Sequence, residues 1–340
     1  MVSCSEGKTR ILFVHSDLLA FVRKDLEILQ KHFNVKDMNV TTFLVPRRGR
    51  DWLVYFRLLK GILGADIVYS WWAILNAFFI VLFCMFLRKN SIVVVGGYEV
   101  AYVPEINYGN LLSLPRRLEV KFILRHASKI LAVSQSSEKE ILRFTIPKNL
   151  KLVYNGVDTE KLKPSGEKEN LVVTVSAISC DNINKKRLDT FVKASKYLSD
   201  VHFILIGKFR DDSIKQLKKI AASNVKFTGY LSDDALLQYY QKAKVYCQLS
   251  TQESFGVALA EAMSCGCVPV VTRKYALPEV VGDTGFYVPY NNPKATAEAI
   301  GKALESDKGI KARERIKKYF SLETREKGLM REILDLTKSS

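Results

Sequence analysis

The residues whose types and spacing promise chemistry lie mainly between positions 248 and 269. Glu253-Ser254-Phe255-Gly256 forms a turn after an apolar strand, and Val257–Ser264 reads as a short helix ending at Gly266. The first N–H groups of a helix have no carbonyl partner inside it, and its N-terminus carries partial positive charge. The turn is therefore a candidate site for a diphosphate. Gly256 allows the backbone to approach a ligand closely. Glu253 stands just before the helix. Glu261 stands one turn into it, where a carboxylate can accept hydrogen bonds from a ribose diol. A helix-start acid followed by an ordinary helical glutamate would have the same spacing, so spacing alone leaves both readings open.

Such residues need a frame, and short apolar runs alternate with helical spacing along the whole chain. In the first half the runs are Ile11-Leu12-Phe13-Val14, ending at His15; residues 40–45; Asp66-Ile67-Val68-Tyr69, ending at Ser70-Trp71-Trp72; residues 92–95, ending at Gly96-Gly97; and Ile130-Leu131-Ala132-Val133. Residues 21–33 carry a helical pattern between the first two. In the second half, residues 171–175, 203–206, 226–227, 245–246 and 268–271 are strand candidates. Helices are expected there over 186–198, 213–222, 234–242 and 257–264. This alternation predicts an α/β fold with parallel sheets covered on both faces. A chain of 340 residues exceeds one ordinary core and suits two domains. Polar residues 161–170, with Pro164 and Gly166, read as a linker between them. Ligands in such folds sit at the carboxyl ends of the strands.

Composition narrows the classes. Hydrophobic residues at 48% and charged residues at 26% describe a globular chain, not a disordered or fibrous one. A formal net charge of +17 calls for an anionic partner, such as nucleotide phosphates or anionic lipid. Lysine and arginine are spread over both halves without a basic stripe of interleaved aromatics, so no nucleic acid is expected. No Gly-x-Gly-x-x-Gly follows the first strand, which disfavours a nicotinamide oxidoreductase. The six cysteines contain no Cys-x-x-Cys pair and suit reduced, buried thiols in a cytoplasmic protein. The polar start runs straight into a strand, so no signal peptide is expected. Apolar residues 71–87 are near the shortest run that spans a bilayer. Inside this strand–helix alternation they are expected to form a buried or interfacial helix.

The segment ESFGVALAEAMSCGCVPVV (residues 253–271), followed by Leu277-Pro278-Glu279-Val280-Val281 and Thr284-Gly285-Phe286, resembles the family 4 group of retaining glycosyltransferases with the GT-B fold. VYNGVDTEKLKP (153–164) is similar to that family's hinge signature, and NVKFTGYLSDDALLQYYQKAKVY (224–246) to the stretch preceding its site. The resemblance implies two Rossmann-like domains whose parallel sheets face a central cleft. These are an acceptor-side domain over 1–160 and a nucleotide-sugar donor-binding domain over 161–320, with a helix over 321–340 crossing back to the first. It implies a hexosyltransferase acting from a UDP- or GDP-linked donor with retention of configuration, in cell-surface glycan, glycolipid or protein-glycan assembly. Glu253 would contact donor sugar hydroxyls, and Glu261 the ribose. Backbone N–H groups of Phe255, Gly256 and Val257, beside Ser254, would hold the diphosphate or sugar. Lys186, beside Arg187, matches the family's diphosphate-binding lysine at the start of a helix, where an ammonium offsets charge on the departing diphosphate. Selection of the base would fall to backbone groups around Gly229 and Tyr230. The nucleotide sugar is a co-substrate. No cofactor and no metal is expected, and no Asp-x-Asp pair occurs.

Two departures stand out. The family's arginine ahead of the lysine is absent from residues 176–182, which makes Arg187 the donor-binding candidate to substitute for it, and the histidine expected at the fourth strand end is replaced by Gly96-Gly97-Tyr98-Glu99. Glu99 is the candidate to take over acceptor contact. His15, Trp71 and Tyr98 are further acceptor-side candidates. The acceptor is expected to be a sugar or a lipid-linked sugar. Pro46-Arg47-Arg48-Gly49-Arg50-Asp51-Trp52, the following Leu53-Val54-Tyr55-Phe56-Arg57-Leu58-Leu59-Lys60, and the basic stretch from Leu114 to Arg125 suit helices lying on anionic lipid. A peripheral position at the inner face of the membrane follows from that reading, although ordinary surface helices share the pattern. Two rivals remain: a nucleotide-sugar epimerase on the same fold, and a non-catalytic membrane-associated subunit that keeps a nucleotide pocket.

Overall fold

The structure, a computed structural model, describes residues 8–40 and 52–338. Its contacts divide the chain into a first unit, Met1–Tyr154 with Glu326–Ser340, and a second, Asn155–Arg325. In the first unit β1 (Arg10–His15), α1 (Ala20–His32), β2 (Asn34–Asn39), α2 (Trp52–Leu63), β3 (Ile67–Trp71) and α3 (Leu75–Leu87) are followed by β4 (Asn90–Val95), α4 (Leu114–His126), β5 (Lys129–Ala132), α5 (Gln135–Phe144) and β6 (Leu150–Leu152). In the second, β7 (Glu169–Val175), α6 (Cys180–Lys186), α7 (Leu188–Ala194), β8 (His202–Ile206), α8 (Ile214–Ile220), β9 (Val225–Gly229) and α9 (Asp233–Lys242) come first. Then follow β10 (Ala243–Gln248), α10 (Val257–Ser264), β11 (Val268–Thr272), α11 (Leu277–Val281), β12 (Phe286–Val288), α12 (Pro293–Leu304) and α13 (Lys308–Tyr319). A last helix, α14 (Leu322–Lys338), starts in the second unit and ends in the first.

Each unit is a six-stranded parallel sheet, in the orders β2-β1-β3-β4-β5-β6 and β12-β11-β10-β7-β8-β9. Strands covered on both faces must be apolar throughout, and β3 and β5 are buried at every residue. The core of the second unit gathers Val172, Phe191, Phe203, Val245, Val270 and Ile300. Each large apolar side chain buried there contributes about 1.5–3 kcal/mol. Both sheets reverse direction once, between β1 and β3 in the first unit and between β7 and β10 in the second. The carboxyl ends of those pairs are where a doubly wound sheet leaves an opening for ligands.

Several expectations shift. The second strand is Asn34–Asn39, not residues 40–45, which lie outside the described residues apart from Val40. An edge strand pairs on one side only, so its polar sequence, NVKDMN, carries no apolar run to find. The basic stretch at 46–51 also lies outside the described residues. The helix expected over 186–198 is broken, because Arg187 takes a left-handed conformation (φ 51°) between α6 and α7. The apolar run ending at Leu87 is the 13-residue α3, which packs through Ala77, Ile80, Val81 and Cys84. Among the described residues no helix is long and apolar enough to cross a membrane. Of the five described cysteines four are buried, but Cys180 is exposed.

The polar stretch after Asp158 is tied to the second unit, where Lys168 Nζ donates to the carbonyls of Tyr240 (2.9 Å) and Cys265 (2.7 Å). The end of α14 is fixed to the first unit by a buried lysine. Lys129 Nζ meets Glu332 at 3.0 Å and Asp335 at 2.7 Å. The pairing outweighs burial and holds the Glu332 carboxyl below its ordinary range.

Candidate functional site

Four backbone anchors shape the turn between β10 and α10. The Thr251 N–H (2.8 Å) and hydroxyl (3.0 Å) both donate to the Lys185 carbonyl. Thr272 Oγ1 donates to the Ser250 carbonyl (2.7 Å), and the Ala276 N–H to the Glu253 carbonyl (3.2 Å). These bonds bring the end of α6 against the loop after β10, at the reversal point of the second sheet. Phe255 is buried against Phe320, so only its backbone is offered to a ligand. Gly256 caps α10 at φ 91°, a left-handed conformation that favours glycine, and no side chain caps that helix. The cap residue therefore supplies no side-chain acceptor to the first N–H groups of α10.

Into this turn Lys186 Nζ donates to Glu253 Oε2, which also accepts from Gln248 Nε2 at 2.6 Å and Ser250 Oγ at 3.3 Å. Burial by itself would raise the Glu253 carboxyl. The ammonium groups of Lys186 and Lys185 and the Gln248 amide outweigh it and hold the group ionised, below its ordinary range. Lys185 is pushed down to about 8 by burial and by neighbouring Lys186, against the pull of Glu253. Lys186 is the last residue of α6 rather than the first of a helix, because the left-handed Arg187 interrupts the run. Arg187 itself turns to Asp189 (3.1 Å), Asn291 and the face of Tyr290. Gln248 and Gln252 are buried with Oε1 atoms that have no hydrogen-bond partner among the described residues. Unpaired buried polar atoms are uncommon and costly, and the one on Gln248 belongs to an amide that already meets Glu253, where a polar ligand can satisfy it.

Glu261 faces Tyr240, whose hydroxyl donates to Oε2 at 3.3 Å. Burial, with a smaller push from Asp233 and against the Tyr240 bond, raises this carboxyl to about 7. Gly229 closes β9 at φ 75°, its carbonyl accepting the Gly207 N–H, and Tyr230 beyond it is 75% exposed. Ser254 and Val257 are half-buried on either side of Phe255 and Gly256. Gln248, Ser250, Lys185 and Tyr240 went without roles in the sequence. The spacing Gln248-x-Ser250-x-x-Glu253 at a strand end was the available signal. Among the described residues no three His, Cys, Asp or Glu side chains gather to hold a metal ion.

The first-unit candidates are built differently. Glu99 is 1% exposed, and its Oε1 accepts the N–H groups of Gly96 (3.0 Å) and Ala73 (3.2 Å). Burial raises its carboxyl, against those backbone bonds. Trp71 is buried, and its indole N–H donates to Asp25 (2.9 Å), which also accepts from Tyr69 (2.7 Å). His15 is buried with Nε2 3.1 Å from Asp37, without hydrogen-bond alignment. Tyr98 is exposed and lies edge-on to Tyr108. Trp72, passed over in the sequence, has φ 65°, and its indole lies so close to Gly96 that a Cβ there would meet Nε1 at 2.8 Å.

Two doubly wound parallel sheets define the GT-B class. HepE from Anabaena, solved with UDP and glucose, aligns at a TM-score of 0.77 over 96% of this chain and 99% of its own, with 18% identity. Sucrose-phosphate synthase from Thermosynechococcus elongatus aligns at 0.80 over 98% and 100%, with 17% identity. The glycosyl transferases group 1 model matches residues 158–321, and the glycosyltransferase family 4 model matches residues 18–161. The chain belongs to this group 1, family 4 glycosyltransferase family. A mannosyltransferase of Mycolicibacterium hassiacum, MMP alpha-(1->4)-mannosyltransferase, is 29% identical over 201 residues, 56% of this chain and 49% of the relative. The sulfoquinovosyl transferase SQD2 of Arabidopsis thaliana is 28% identical over 249 residues, 64% and 46%. The matched regions span about half the length of these two relatives.

Proposed function

We propose that the chain transfers a hexose from a nucleoside-diphosphate sugar to an acceptor hydroxyl with retention of configuration, and that the donor binds in the second unit. The observation that carries this reading is the Lys186–Glu253 pair at the β7/β10 reversal point, directly before the uncapped N-terminus of α10. An arriving diphosphate takes the backbone N–H groups of Phe255, Gly256 and Val257 at the start of α10 and shares Lys186, whose charge offsets that of the departing diphosphate. Ionised Glu253, steadied by Gln248 and Ser250, accepts from sugar hydroxyls, and Glu261 accepts from the ribose diol. Backbone groups at Gly229 and Tyr230 face the base. The leaving phosphate takes the acceptor proton on the same face of the sugar. No carboxylate nucleophile is then required, unlike in hydrolases with two placed carboxylates. The diphosphate is held without a metal.

The UDP and glucose of HepE and the mannosyl transfer of the mycobacterial relative support a UDP- or GDP-linked hexose donor. The acceptor is a sugar or lipid-linked sugar handled by the first unit, which lies peripherally on the cytoplasmic face of an anionic membrane in glycan or glycolipid assembly. Exposed Leu53 and Phe56 on α2 and Leu114 and Leu118 on α4, among Arg57, Lys60, Arg116, Lys121 and Arg125, support that docking.

The test is transfer of label from UDP-glucose and GDP-mannose to a total lipid extract. Lys186→Ala and Glu253→Gln are expected to lower turnover about 10²–10³-fold while melting like the parent. Unchanged turnover in both refutes the site. Label recovered only as altered nucleotide sugar identifies an epimerase instead.

A further inference from the structure

The first unit holds a cavity of about 410 Å³ that none of the donor-site residues lines. That volume lies within the range of small-molecule sites. Val100 and Leu111, both buried, form its floor, with half-buried Phe144 and exposed Tyr102 as walls. Arg117, Glu140 and Arg143 stand at the rim. Arg117 is held in place by its Nε–H bond to the Leu111 carbonyl, with its guanidinium 4.8 Å from the Tyr102 ring centre. Its terminal N–H groups have no ion-pair partner among the described residues. Arg143 is 76% exposed and meets Glu140 at 2.7 Å, so two guanidinium groups face one carboxylate and the rim is cationic.

Exposed aliphatic residues lie near both arginines in the chain: Leu114 (67%) and Leu118 (65%) near Arg117, and Leu142 (48%) and Ile146 (78%) near Arg143. Two arginines beside Val100, Leu111 and Phe144 in one lining match a ligand that is anionic at one end and aliphatic at the other.

We infer that this cavity binds a phosphate carried on an aliphatic chain. The phosphate takes the terminal N–H groups of Arg117 and Arg143, and the first carbons of the chain lie over Val100, Leu111 and Phe144. The site is separate from the donor residues, and its test needs no nucleotide and no turnover. Such a phosphate has two sources, an isoprenoid carrier or a bilayer phospholipid, and the probes separate them.

The experiment is calorimetric titration of the full chain with farnesyl phosphate and with dihexanoyl phosphatidate, each below its micelle concentration. Inorganic phosphate and farnesol serve as controls. One or both amphiphiles are expected to bind at least about tenfold more tightly than either control, and to weaken about tenfold for each of Arg117→Gln and Arg143→Gln. Preference for farnesyl phosphate assigns the site to an isoprenoid carrier, and preference for the diacyl probe to a membrane phospholipid. Arg143→Gln alters an exposed side chain, so its result stands even if Arg117→Gln fails to fold. Amphiphile binding no tighter than that of inorganic phosphate, or binding unchanged in Arg143→Gln, overturns the inference.

Discussion

Near the carboxyl ends of β7 and β10, Lys186 at the end of α6 meets Glu253 beside Gln248, whose carbonyl oxygen has no partner among the described residues. After the carboxyl end of β4, Glu99 meets backbone through one oxygen, Oε1 accepting from Gly96 and Ala73, while its buried Oε2 has no partner among the described residues. Charged residues at these two sets of strand ends thus have different partners. In the second unit the charges are held ready for a ligand. In the first they hold the fold, as also in Asp25 under Tyr69 and Trp71 and in Lys129 under α14.

The largest effect expected from this contrast is on stability in the first unit. Lys129→Ala leaves buried Glu332 with Arg331 alone in place of two cationic partners and is expected to cost up to about 3–5 kcal/mol in denaturant melts, with nucleotide affinity unchanged in the folded protein. Lost nucleotide binding at full stability would break the contrast. Glu99 comes next. Glu99→Ala orphans two backbone N–H groups, at about 1–3 kcal/mol each, whereas Glu99→Gln keeps the accepting oxygen and is expected to retain both stability and turnover. A large fall in kcat for a stable Glu99→Gln would make Glu99 a chemical group after all.

Glu261 sharpens the comparison from the other side, with a smaller effect. Its carboxyl sits at about 7, so the ionised form that accepts from a diol appears only as pH rises through that value. Donor affinity is expected to strengthen between pH 6 and 8, by at most about tenfold per unit, and the slope is expected to vanish in Glu261→Gln. The sign for folding is opposite. The folded carboxyl binds its proton more tightly than the unfolded one, so this group's contribution is full below the ordinary carboxylate range and is lost as pH rises towards 7. Glu261→Gln should therefore raise the melting temperature at pH 8 and leave it unchanged near pH 4.

These contrasts also explain what the sequence disclosed. The parallel sheets were legible because strands buried on both faces are apolar along their length, as in Ile67–Trp71, and the polar edge strand Asn34–Asn39 was missed for the same reason. Glu253, Glu261 and Gly256 lie within nine residues of one another, so one segment displays them. Gln248 and Ser250 were within view but carry no distinctive chemistry until they converge on one oxygen. The break at Arg187 depends on a single backbone angle that residue type does not announce. Whether Glu99 points into the sheet or out of it is decided by residues 26 positions away, beyond any local pattern.

The most direct measurement is titration of UDP and GDP into the parent chain and into Lys186→Ala. The account predicts that one of the two nucleotides binds the parent and that the variant, equally folded, binds it about tenfold or more weakly, as loss of a charge-assisted hydrogen bond requires. Equal affinity in parent and variant, or no affinity for either nucleotide in the parent, would contradict the donor site at its centre.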